Sequence, residues 1–286
     1  MKENIFSGLE GLGFNDIDDL ELFNKKKEEE KAASTEKKEE DPKNSLYDTT
    51  VTCPVCQNVF QARAVKSSAI RRQKSDSDLF VRYTSVNPYF YEVYLCNVCG
   101  YAAMKQDFEK IRDYQVELVQ KKITPRWQGR RYPEVYTPEI AIERYKLSLL
   151  NSVVIEAKSS RKALNCLRIA WMCRLKEDET NEKLFLSQAL EGFNDAYTNE
   201  DFPICGMDKF TLMYLLGELN RRISNLEEAN QWFSKIITTP NTPQKIKDLA
   251  RDQRDLIKEE LTESMESPEE QAEDVKKSGF FSKFFK

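Results

Sequence analysis

TCPVCQNVF, residues 52–60, and LCNVCGYAA, residues 95–103, repeat one phrase: two cysteines separated by two residues, with an aromatic close behind. The chain contains no histidine, so Cys53, Cys56, Cys96 and Cys99 are four thiols without an imidazole partner. A Cys-x-x-Cys turn offers two sulfurs to one ion, and Zn²⁺ accepts four thiolates in a tetrahedron. The residue after each pair is expected at positive φ, where glycine is favoured. Gly100 suits that position; Gln57 does not, which predicts a slightly strained first turn. Thirty-nine residues lie between the pairs. Within the gap, NVFQARAV (58–65), DLFVRYTSV (78–86) and YEVYL (91–95) have strand character, and Asn87-Pro88 marks a turn. The expectation is a zinc ribbon in which a long β-hairpin accommodates this spacing. A redox dithiol pair and an iron–sulfur cluster are the competing readings. Four thiolates leave no open position for water, so the zinc would be structural.

A module of about 57 residues needs such help. Small sheets of that size are marginal alone. A structural zinc contributes about 10–16 kcal/mol of apparent binding energy, as much as the whole stability of many domains.

Outside the cysteines, the composition narrows the function classes. Of 286 residues, 40% are hydrophobic and 32% charged, with a net charge of −4. An acidic balance disfavours a dedicated nucleic-acid binder. Without histidine there is no Ser-His-Asp site, no Cys-His nucleophile and no histidine-ligated catalytic metal. Residues 1–23 lack the pattern of a secretory signal, and no stretch has the length of a membrane-spanning helix. Seven cysteines are then expected as free or metal-bound thiols in the cytoplasm. Cys166 and Cys173 share one face of an expected helix and read as buried core thiols, while Cys205 lies in a loop.

The chain divides into six parts. Residues 1–23 are apolar and acidic, and 24–46 form a charged linker, flexible or partly helical. Residues 47–103 are the ribbon. Residues 104–136 are a connecting helix, marked by Met104, Phe108, Ile111 and Leu118, and a basic loop. Residues 137–262 are helical, with helices expected at 139–156, 161–176, 181–197, 207–223, 226–238 and 243–262. Thr137-Pro138 and Thr242-Pro243 read as helix starts, and Asn225 with Glu228 as a capping box. Residues 263–286 form an acidic tail ending KKSGFFSKFFK. Both charged tails are expected to be disordered.

The helical part carries a repeat signature. Leu216-Gly217 and Ala229-x3-Phe233 stand at the offset of a tetratricopeptide unit, with Pro240 one residue early. Met213 and Asn220 replace its Trp and Tyr. Trp171, Ala189, Phe193 and Ala196 suggest a degenerate second unit. The small residues matter because the two helices of a unit cross closely there. The fold class expected is mainly α with a small β part: a four-cysteine β module followed by tetratricopeptide-like helical hairpins.

These pieces together resemble a bacterial family known as domain of unknown function 2225. CPVC…F, Asp76 and Asp78, Tyr83, Asn87-Pro88, Tyr91 and CNVCGYAA carry the resemblance, which spans roughly residues 48–260. It implies a zinc ribbon joined to tetratricopeptide-like helices; no activity is established for the family, so the resemblance supplies architecture and little function. The family usually has Pro where this chain has Asn97 and Gly where it has Gln57. Neither position is a ligand.

The function expected is a non-enzymatic zinc-binding scaffold or adaptor that binds protein partners through its helical surface. Two alternatives stand beside it. A nucleic-acid-binding ribbon would use residues 62–131, where fourteen Lys and Arg meet seven Asp and Glu among aromatics. A thiol redox sensor would use the cysteine pairs. Phe280, Phe281, Phe284 and Phe285, ringed by lysines, offer a peripheral contact with a membrane or a docking peptide. An enzyme would need Asp76 or Asp78 as acid or base, and a strand-leading turn is the plainer use of both.

Overall fold

β1 (Leu46–Thr52) runs antiparallel to β2 (Val59–Val65), with Val51 opposite Phe60. β3 (Arg72–Ser75) pairs with β4 (Val81–Tyr83), and β5 (Val93–Leu95) with β6 (Ala102–Met104). Helices then follow: α1 (Asp113–Lys122), α2 (Pro138–Val154), α3 (Ser159–Leu175), α4 (Glu179–Asn199), α5 (Lys209–Arg222), α6 (Leu226–Thr238) and α7, residues 244–259. This is a computed structural model, and it describes residues 42–259 and 261–262. The apolar-acidic segment 1–23, nearly all of the linker, and the tail with Phe280, Phe281, Phe284 and Phe285 lie outside the described residues. The architecture is mostly helical with small antiparallel strand pairs, as the sequence predicts. None of the described helices is long and apolar enough to cross a membrane.

The expected long hairpin is not what forms. Each cysteine pair sits in the turn of its own short hairpin, β1–β2 or β5–β6. The gap between them breaks into two 3-10 turns and the separate β3–β4 pair. The cause is a set of side chains that prefer the helices to a ladder. Phe80 and Tyr89 are buried against Trp171 of α3, with ring centroids 5.0 and 5.3 Å away. Leu46, read as the linker's last residue, opens β1 and is buried. β1 went unread because its sequence, LYDTTVT, is polar and shows only a weak alternation.

Residues 104–122 also differ from expectation. Met104 closes β6, and the helix begins only at Asp113. Phe108 is buried in a turn, where it meets Phe60, Tyr94 and Tyr101 at centroid distances of 6.1, 5.5 and 4.9 Å. The Tyr101 hydroxyl donates to the Phe108 carbonyl at 3.0 Å. Helical spacing there reflects an aromatic core beneath the cysteines, formed by a turn.

From α2 to α6 the helices lie within two residues of their expected bounds. Thr137 caps α2 by accepting from the Ile140 amide, and Asp178 and Asp208 cap α4 and α5 likewise. The capping box at α6 does not form. Asn225 stands at the start, but its Nδ2 donates to Asn220 Oδ1 at 3.3 Å and leaves the α6 amides uncapped. Thr242 likewise turns its hydroxyl back to the Thr239 carbonyl at 3.0 Å.

The strands pack on the helices through one continuous core. Phe80, Val93, Leu95 and Met104 share it with Tyr145, Leu167, Trp171 and Leu216. Polar ties cross the same boundary. Tyr145 donates to the Tyr89 carbonyl at 2.6 Å, Arg144 to the Val93 carbonyl at 2.6 Å, and Arg168 to Glu92 at 2.8 Å. A second cluster surrounds the cysteines with Val51, Val55, Phe108, Val119, Ile123 and Ile155.

Candidate metal centre

The two cysteine turns share one backbone pattern. In the first, the Cys53 amide donates to the Asn58 carbonyl and the Gln57 amide to the Cys53 carbonyl, both at 2.9 Å. In the second, Cys96 donates to Tyr101 and Gly100 to Cys96, again at 2.9 Å. The residue after each pair is left-handed: φ is 60° at Gln57 and 76° at Gly100. Glycine takes that conformation freely, whereas a side chain such as glutamine's costs about 1–2 kcal/mol. The expected strain at Gln57 is therefore present.

The turns face each other and bring all four sulfurs together. Every Sγ lies within 4.8 Å of the others. Cys53 and Cys99 are 3.6 Å apart and Cys56 and Cys96 3.5 Å, far beyond the roughly 2.05 Å of a disulfide. A tetrahedron of sulfurs at Zn–S bonds of about 2.3 Å has edges of about 3.8 Å. The donor set fits a four-thiolate ion in number, type and spacing. Cys53 and Cys96 are wholly buried and Cys99 is 2% exposed, while Cys56 reaches the surface.

Electrostatics point the same way. Four sulfurs this close repel one another as thiolates unless a cation sits between them. The Cys96 sulfur at its side pushes the Cys53 thiol up to about 12. Cys53 and Cys96 together push Cys99 well above the usual thiol range. Cys96, with the Cys53 and Cys99 thiols beside it, is held far below that range. The opposed shifts at Cys53, Cys96 and Cys99 reflect this crowding, and a divalent ion would supply the charge that lets neighbouring thiolates coexist.

Residues outside the hairpins brace the second turn. The Thr124 hydroxyl donates to the Cys99 carbonyl at 3.0 Å, and Asn151 to the Gly100 carbonyl at 3.2 Å. Trp127 lays its ring on Gly100, and its Nε1 donates to the Asn97 carbonyl at 3.0 Å. The Arg130 amide donates to Asn97 Oδ1 at 2.6 Å. None of these braces was legible from sequence. The 124–138 loop reads there as a connector, and nothing in its spacing points back to the cysteines.

The remaining thiols take ordinary places. Cys166 and Cys173 are buried within α3, and burial pushes the Cys166 thiol up to about 11. Cys205 lies in a loop with its sulfur 3.4 Å from the Ser160 carbonyl, and burial raises its thiol to about 11.

Asp76 and Asp78 form the turn that leads into β4, as expected, with the Asp76 amide donating to the Phe80 carbonyl at 2.8 Å. They also do something the sequence reading missed. Asp78 is fully buried, where Arg174 grips both its oxygens at 3.0 and 2.6 Å and Trp171 Nε1 donates at 2.9 Å. Arg174 reaches Asp76 at 2.8 Å and Glu182 at 2.7 Å as well. Ser77 donates to the buried Glu218 at 2.6 Å, and Arg222 donates to Ser77 at 2.9 Å. The turn is thus tied directly to α3 and α5, and through Arg174 to Glu182 of α4. Glu218, flanked by Gly217 and Leu219 on the inner face of α5, was the available clue: a carboxylate there demands a partner.

A search of the curated proteins finds no match, and neither does a search of the solved structures. The profile of a bacterial family described as "Uncharacterized protein conserved in bacteria (DUF2225)" matches residues 46–257, which include all four cysteines of the cluster and the turn at Asp76–Asp78. The chain belongs to that family.

Proposed function

We propose that the quartet holds one structural zinc ion and that the protein is a non-enzymatic scaffold whose helical surface docks other proteins. The observation that carries the zinc reading is the set of four Sγ atoms within 4.8 Å of one another. Thiolate softness and tetrahedral spacing favour zinc, and a site filled by four protein ligands has a structural role. Free thiols persist in reducing compartments, so the proposal includes a cytoplasmic location.

Two features support the adaptor reading. The close approach of α5 and α6 supports the tetratricopeptide reading: a Cβ on Gly217 would fall 2.6 Å from the Phe233 ring, at the position where that repeat has a small residue. A groove of about 240 Å³ also opens beside the second turn, lined by Trp127, Leu147, Leu150 and Val154, with Lys122 and Arg126 at its rim. Leu150 is 50% exposed, and the nearby Val153 is 56% exposed. Lys122 and Arg126 form no ion pair with another described residue. The partner proposed is a peptide with an apolar anchor flanked by acids. The nucleic-acid alternative is less favoured, because Tyr89 and Tyr91 are buried and Arg82 is paired with Asp76.

Elemental mass spectrometry of untagged protein tests the first half, with one zinc per chain as the expected result. Metal-free protein that is folded would overturn it. Peptide display tests the second half. Selected peptides should converge on an apolar residue beside acids and lose binding to a Leu150→Glu variant. Selections without a consensus, or binding indifferent to that change, would remove the adaptor reading and leave the zinc reading intact.

A further inference from the structure

We infer that the metal centre is mechanically asymmetric: the 53–57 turn is the jaw that opens, and Cys56 is the thiolate that exchanges when the metal enters or leaves. The inference rests on the zinc reading and goes beyond it.

A four-thiolate site has no vacant position, so an incoming donor needs one resident sulfur to yield. Three observations say which one. Cys53, Cys96 and Cys99 are closed off from solvent, whereas Cys56 is the one of the four that is not buried, so an attacking group would meet a bound metal at that corner. The second turn is braced from outside by Thr124, Trp127, Arg130 and Asn151. Among the described residues the first turn receives one such bond, from Gln120 Nε2 to the Val55 carbonyl at 3.2 Å. Its other side-chain bond, Gln57 Nε2 to the Pro54 carbonyl at 3.3 Å, stays within the turn and is exposed. Finally, Gln57 holds its left-handed conformation against strain, while Gly100 holds the same conformation without it. Opening the first turn relieves that strain; opening the second would break four bonds and lift Trp127 off its seat.

The exchange step follows. With zinc bound, a soft donor would take the position that the Cys56 sulfur gives up, and the freed Cys56 thiolate would take a proton from water, leaving hydroxide. Cys53, Cys96 and Cys99 would hold the ion meanwhile.

The experiment begins with untagged full-length protein whose zinc content has been measured. Brief iodoacetamide labelling at graded times, mapped by peptide mass spectrometry, should modify Cys56 about tenfold faster than Cys53, Cys96 or Cys99. In parallel, zinc transfer to a chromogenic chelator is timed for wild type and Gln57→Gly. Relieving about 1 kcal/mol of strain in the closed turn should slow release about fivefold. Equal labelling of the four cysteines, Cys96 or Cys99 reacting first, or a variant that releases zinc as fast as wild type would each overturn the inference. Those outcomes leave one zinc per chain untouched. Protein without zinc in the initial measurement would instead overturn the zinc reading and this inference with it.

Discussion

Trp127 lies so close to Gly100 that a Cβ added there would stand 2.7 Å from Trp127 Cγ. This contact joins the loop before α2 to the second cysteine turn at a position whose φ of 76° already favours glycine. Gly100→Ala therefore meets a conformational cost and a steric one together. We expect a loss of about 2–4 kcal/mol in denaturant titrations of the metal-loaded protein. Gln57→Gly, at the equivalent place in the other turn, should gain up to about 1 kcal/mol. Opposite signs at two equivalent positions are the result that matters. If both substitutions destabilise alike, the left-handed geometry is not what limits these turns.

Removing the metal proposed for the quartet should act beyond the hairpins. The cysteines share their apolar cluster with Val119 and Ile123 at α1 and Ile155 beyond α2. Chelation, or Cys96→Ser, should abolish the near-ultraviolet circular dichroism of the packed tyrosines around Phe108 and Tyr101. Most of the helical far-ultraviolet signal should survive, because the core shared with the strands is filled mainly from α3, α4 and α5, and α5, α6 and α7 have a cluster of their own. Complete loss of helix on chelation would mean that the two clusters fold as one.

Gly217→Ala separates packing from propensity. In a free helix the change gains about 1 kcal/mol. Here the new Cβ would meet the Phe233 ring at 2.6 Å, and Phe233 is fully buried against Tyr214, so the ring has little room to yield. The expected outcome is destabilisation by about 1–3 kcal/mol. Adding Phe233→Leu should recover part of the Gly217→Ala penalty, measured as a coupling in a double-mutant cycle. A stabilised single variant would show that α5 and α6 do not approach so closely.

Asp78→Asn should be among the most damaging surface-remote changes, at about 3–5 kcal/mol, because it leaves Arg174 partly unpaired in a buried site. Asp76→Asn should cost less, since Asp76 is partly exposed. Its pH dependence is informative. Burial opposes the charge on Asp76, but hydrogen bonds and attraction from Arg82 and Arg174 win and hold its carboxyl below the usual value. A depressed folded-state value stabilises above the unfolded pKa of about 3.9 and fades as pH falls through the lower folded value. The deficit of Asp76→Asn relative to wild type should therefore stay constant from pH 8 to pH 5 in urea titrations. A deficit that shrinks within that window would assign the stabilisation to some other group.

Residue type and local spacing sufficed for the parts of this protein that are decided within a few residues. Cys-x-x-Cys turns carry their own geometry, so the four thiols, the left-handed sites at Gln57 and Gly100, and their pairing were legible from the chain. The helices from α2 to α6 were legible for the same reason: a 3.6-residue apolar period and caps such as Thr137 act locally. What the sequence did not disclose depends on partners far along the chain. The gap between the cysteine pairs folds as separate pieces because Arg174, Trp171 and Glu218, about a hundred residues away or more, draw the Asp76–Asp78 turn onto the helices. Phe108 mimics helical spacing because an aromatic core fixes a turn there. Asn225 is the local exception: it forgoes its cap for Asn220, five residues back across the turn between α5 and α6. Trp127 and Thr124 brace the cysteine site from a loop with no periodic signal at all. Buried charge and aromatic packing are satisfied by whatever the fold brings near, and only the tertiary structure decides what that is.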